Sequence, residues 1–167
     1  MRFARFVAVG ATLTILGASP AIAAAPTPSS NGHGGITVTD ANGKQVKRQF
    51  TFSATTAKDG TVSGKAVLRN PAFDFTAQFD ISCLVVAGNR ATFGGRVTKT
   101  NDPFFSSEGG GYDRGFFTVV DNGEPGTNDT ISSVFFDNTV GPEACKLTGP
   151  GDFPQMPIEN GNVQVKP

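Results

Sequence analysis

From residue 36 onward the chain alternates. In VKRQFTFSA, Val46, Phe50, Phe52 and Ala54 share one face with Arg48, and Lys47, Gln49, Thr51 and Ser53 share the other. In FDFTAQFDISCLV the same period groups Phe73, Phe75, Ala77, Phe79, Ile81, Cys83 and Val85 opposite Asp74, Thr76, Gln78, Asp80 and Ser82. Period two with one polar face predicts antiparallel strands covering a core on one side. A helix would spread Phe73, Phe75 and Phe79 around most of its circumference. Asn42-Gly43, Asp59-Gly60 and Gly88-Asn89 supply the positive φ that tight hairpin turns need. Strands are expected near 36–40, 46–56, 61–69, 73–87, 91–99, 112–121, 130–137 and 161–165, with almost no helix. About eight strands joined by short turns form an all-β antiparallel meander, which loses its edges by curling into a barrel. A two-sheet β-sandwich is the alternative. In VKRQFTFSA, Arg48 is the anomaly: it is either an inward polar group among Phe side chains or, after a slip at a bulge, a rim residue. The rim is the expected place.

The N-terminus follows different rules. MRFARFVAVGATLTILGASPAIAAA joins two arginines to an uncharged run from Phe6 to Ala18 and a small-residue tail, the pattern of a secretory signal peptide. Ala21-Ile22-Ala23 predicts removal of residues 1–23, and the run is short for a membrane span of about 20 residues. APTPSSNGHGG (25–35) has linker composition, so residues 24–33 are expected to be a flexible linker and order to begin near Gly34. Residues 34–167 then form a single all-β domain, secreted to the periplasm or beyond, with no transmembrane segment in the mature chain. Outward positions such as Lys47, Gln49, Asp74, Gln78 and Asp80 do not suit a membrane barrel.

Charge narrows the partners. The whole chain carries 14 basic and 14 acidic residues, and removing 1–23 takes Arg2 and Arg5 and no acid, leaving a net charge near −2. Without a basic cluster there is no electrostatic footprint for nucleic acid. Of the 15 Phe, all but Phe3 and Phe6 lie beyond that cut, with no Trp and one Tyr. Phe has no polar atom, so this aromatic content suits a dry core.

The inventory of reactive groups is thin. His33 is the only His, so a His-rich zinc site is excluded, and it stands in the expected linker. No G-x-S-x-G elbow occurs. Cys83 and Cys145 are the only cysteines; an even count in an exported chain predicts a structural disulfide. Asp102, Glu108 and Asp113 flank the Gly109–Gly111 cluster, where a glycosidase-like acid pair is conceivable but a polar loop is expected. DNGEPGTND (Asp121–Asp129) concentrates three carboxylates. Read as a calcium loop, it puts Gly123 and Pro125 where ligands belong and Ser132 where a bidentate Glu belongs. A plain hairpin loop is expected, with no cofactor; a weak calcium site on Asp121, Glu124 and Asp129 is the alternative.

HGGITVTDANGKQVKRQFTFSA, FDISCLVVAGNRATFGGRV, VVDNGEPGTND and GDFPQMPIENGNVQV together resemble a small secreted bacterial β-domain, found alone behind a signal peptide or as a C-terminal module of larger surface proteins. The resemblance spans the mature chain. It implies location and build, and transfers no catalytic residue. The expected function is a non-enzymatic exported module that contacts a surface, a protein or a small ligand through its loops or barrel mouth. The alternative is a small barrel-type enzyme, of the cyclase or isomerase class, with a Phe-lined pocket.

Overall fold

A computed structural model describes residues 26–106, 108, 110–124, 126, 128–148 and 153–167. The fold is all-β: ten antiparallel strands in one curled, half-barrel sheet, so the sandwich alternative does not occur. The strands are β1 (Ser29–Thr39), β2 (Gln45–Thr56), β3 (Val62–Asn70), β4 (Phe75–Ala87), β5 (Arg90–Thr100), β6 (Arg114–Val120), β7 (Thr130–Ser132), β8 (Phe135–Asp137), β9 (Gln155–Pro157) and β10 (Asn160–Lys166). Their order is β10-β1-β2-β3-β4-β5-β6-β7-β9, with β8 also paired to β6. Seven consecutive neighbours make this a meander.

The predicted hairpins form where expected. Gly43, Gly60 and Gly88 all have positive φ. Asp40 Oδ1 accepts the amides of Asn42 and Lys44, and Asp59 Oδ1 accepts that of Thr61, so in the first two turns an acid satisfies nearby backbone.

Four expectations are corrected. Strand pairing begins at Ser29, not near Gly34: the linker-like NGHGG lies inside β1, between β2 and β10. Its glycines are there for space. A Cβ on Gly32 would stand 2.8 Å from the Phe52 ring and 2.9 Å from Val163. Next, β4 starts at Phe75, because Pro71–Phe73 forms a 3-10 turn closed by Asp74 at φ 47°, leaving Phe73 exposed. The 130–137 segment divides into β7 and β8, and β9 is a short strand without an alternating signature.

The fourth correction concerns facing. Pairing of β4 with β5 shifts register between Ile81 and Cys83. The extra residue of this bulge inverts the alternation. Phe79 and Ile81 point into the barrel core, but beyond the bulge so do Leu84 and Val86, while Cys83 and Val85 join a second cluster with Phe116 and Cys145. That cluster lies under the 3-10 helix Pro142–Lys146, which the Cys83–Cys145 disulfide ties to the sheet. Gly94 on β5 makes the approach possible, since a Cβ there would collide with the Pro142 carbonyl oxygen.

The barrel interior is filled. Phe52, Phe93 and Phe117 meet at centroid separations of 5.0, 5.5 and 4.5 Å, and Phe93 is fully buried. On the outer face, Lys47, Gln49, Lys65, Gln78 and Asp80 are exposed. Among the described residues no helix is long and apolar enough to cross a membrane.

The sheet does not close by strand pairing alone. The free edge of β10 faces the loop joining β6 to β7, and that loop is DNGEPGTND. Asp129 Oδ2 accepts the Val163 amide at 2.8 Å, and Asp121 Oδ2 accepts the Val165 amide at 3.0 Å. Two carboxylates thus stand where a neighbouring strand would present carbonyls, satisfying an edge that would otherwise invite pairing. The Ile158 amide donates to the Asp129 carbonyl, which completes the seam.

Candidate ligand cleft at the barrel mouth

One end of the half-barrel opens beside Arg48. Pairing of β1 with β2 runs without a register shift, so Arg48 keeps the parity of Val46, Phe50 and Phe52. No bulge displaces it. It points inward, at the level where the barrel opens, so the slip expected to carry it to the rim does not occur. Around it, β3 contributes Leu68 and Asn70, β4 Phe75, the 3-10 turn Pro103–Phe105 contributes Phe105, and β8 Phe136. The cleft has a volume of about 440 Å³. Below Arg48 a void of about 20 Å³ continues between Phe50, Leu68 and Phe79, room for a water and little else.

The walls are aromatic. Phe105 lies 5.0 Å from Phe75 and 4.4 Å from Phe136 by ring centroids, and Phe75 and Phe136 are 6.4 Å apart. Phe73 also lines the cleft and is 59% exposed; outside it, Phe104 is 58% exposed and packs 5.1 Å from Phe105 and 5.0 Å from Tyr112.

Arg48 is electrostatically incomplete. Its Nη1 donates to Ser133 Oγ at 3.3 Å, its Nε is buried without an acceptor, and among the described residues no carboxylate lies within ion-pair distance. Burial pushes the guanidinium pKa below its ordinary value, yet an arginine remains charged at neutral pH. Asn70 Oδ1, from the same wall, is also buried without a partner. Asp102 lines the cleft but caps the 103–105 turn by accepting the Phe104 amide at 3.0 Å.

The other sequence candidates lie elsewhere. His33 is exposed on β1, between Thr51 and Asn162 of its neighbours. Asp113 is buried between two arginines, Arg96 at 3.0 Å and Arg114 at 3.1 Å, and Glu108 is exposed, so no acid pair forms beside the glycine cluster in the described residues. Asp121, Glu124 and Asp129 do come together, and each faces N–H donors. Asp121 Oδ1 accepts the Gly123 amide, Asp129 Oδ1 the Asn122 amide, and Glu124 Oε1 the side-chain amides of Asn162 and Gln164. Those two amides hold the Glu124 carboxyl below the usual range. Among the described residues no group of three or more His, Cys, Asp or Glu side chains is arranged to hold a metal ion.

Sequence reasoning singled out Arg48 but missed Asn70, Phe105 and Phe136. The signal available was the pair of Phe-Phe dipeptides in DPFFSS and SVFFD, where alternation fails and one ring must leave the core. The fold and cleft define a small all-β domain with one cationic group in an aromatic mouth. No family model, curated protein or solved structure matches the chain.

Proposed function

We propose that this chain is a non-enzymatic binding domain that takes a small ligand in the cleft at the barrel mouth, with Arg48 as its polar anchor. The observation that carries this is a half-buried guanidinium without an acidic partner, set among Phe side chains. Withdrawing a charge from water without pairing it is unfavourable for the free domain, and a ligand that supplies the partner recovers that loss. The commitment of Asp102 to its turn favours binding over proton transfer.

Export of the domain is supported by the charge, apolar run and A-x-A ending of residues 1–23 and by the Cys83–Cys145 bridge. Intact mass of the secreted protein tests this, with a chain beginning at Ala24 or Ala25 as the expected result. The binding reading is tested by titrating an isotope-labelled domain with a library of small fragments. Amide shifts should concentrate at Arg48, Leu68, Asn70 and Phe136. A second, apolar groove lined by Phe116, Phe135, Ala144 and Phe153 lies between β8 and the 142–146 helix, and shifts centred there would refute the reading.

A further inference from the structure

Taking the mouth as a ligand site, we propose that its ligand is a small, flat monoanion: a carboxylate carried on an aromatic body. The charge count comes first. Arg48 and Asp102 are the charged residues of the cleft wall. A carboxylate suits the planar guanidinium, which can donate to both its oxygens in parallel. A second negative charge on the ligand would find no second cation and would face Asp102.

Shape comes next. The mouth volume of about 440 Å³ lies within the range of small-ligand sites, but it leads nowhere. Phe52, Phe93 and Phe117 fill the barrel below, and the void under Arg48 holds about 20 Å³. A long acyl chain has no channel to enter, so the ligand body stays in the mouth. There it meets Phe75, Phe105 and Phe136, with Phe73 at the rim. Rings prefer offset or edge-to-face contact with other rings, and a flat aromatic body offers both a face and an edge to such a wall.

The test compares four probes on the labelled full domain: 3-phenylpropionate, its uncharged amide, decanoate and inorganic phosphate. 3-Phenylpropionate should bind and shift the cleft amides, with the amide at least about tenfold weaker. Arg48→Gln should lower affinity for the acid roughly ten- to a hundredfold, the size of one charge-assisted contact, and affinity for the amide far less. Arg69→Gln, an exposed arginine on β3, should change neither. If acid and amide bind wild type equally at the cleft, or decanoate or phosphate binds there more tightly, the ligand class is wrong and the mouth reading stands. If no probe shifts the cleft amides while the fragment library does, the class again fails alone. If neither does, both readings fall. Should Arg48→Gln not fold, the acid–amide pair on wild type decides by itself.

Discussion

Replacing Asp129 with Asn tests the idea that a side chain closes the barrel seam. Asp129 is fully buried, and each carboxylate oxygen accepts one backbone amide: Asn122 at 2.9 Å and Val163 at 2.8 Å. Asparagine keeps the volume and one acceptor, but its NH2 must then face an N–H. Leaving a buried donor unsatisfied costs about 1–3 kcal/mol, and losing a charged acceptor weakens the surviving bond as well. A loss of about 2–5 kcal/mol is therefore expected, a large part of the roughly 5–15 kcal/mol that holds a domain folded. Asp129→Ala removes both acceptors but opens space in which a water can replace one, so the Asn variant is the sharper test. Urea unfolding gives the free energy, provided the denaturant slope is unchanged. Hydrogen exchange locates it: protection should fall most at Val163 and Asn122, with β3 and β4 following only the global change. Asp121→Asn should act in the same direction at Val165, more weakly, because that amide is only partly buried. A loss under about 1 kcal/mol, small beside the penalty for one orphaned buried amide, would refute the seam argument. So would unchanged protection at both Val163 and Asn122.

Three further outcomes follow from the geometry. The bridged cysteines are 62 residues apart, so the Cys83→Ala/Cys145→Ala pair should lose up to about 4 kcal/mol, with exchange rising first in 142–146; equal protection there in both proteins would show that the 3-10 helix holds without its bridge. Gly94→Ala should lower the thermal midpoint by displacing that same helix from β5, because the added methyl meets the Pro142 carbonyl; an unchanged midpoint would mean the helix is free to shift. Finally, Asp137 is held below the usual carboxylate range by the Val140 and Thr139 amides, as Glu124 is by Asn162 and Gln164. A depressed folded pKa contributes stability that is present above the unfolded value of about 4 and is lost as pH falls through the folded one. The urea midpoint should therefore drop below about pH 4, and Asp137→Asn should flatten that acid limb; a limb of unchanged steepness would remove Asp137 from the account.

Local sequence was enough for whatever depends on near neighbours. Alternation in VKRQFTFSA and FDFTAQFDI, with glycine turns between, determined an antiparallel all-β sheet, because side-chain period and turn dihedrals are properties of a few adjacent residues. The pairing of Cys83 with Cys145 was equally legible, since two cysteines allow one bridge. Tertiary structure decided the rest, for one physical reason: each missed feature depends on atoms far away along the chain. The bulge that turns Cys83 away from the core is a relation between β4 and β5, invisible in β4 alone. NGHGG reads as linker until Phe52 and Val163 occupy the space its glycines leave. Asp129 reads as a turn acid until the Val163 amide, 34 positions on, arrives at its carboxylate. Arg48 was conspicuous from the start, but its cleft is built from β3, β4, β8 and the 103–105 turn. Only the curl of the sheet brings those rings around one charge.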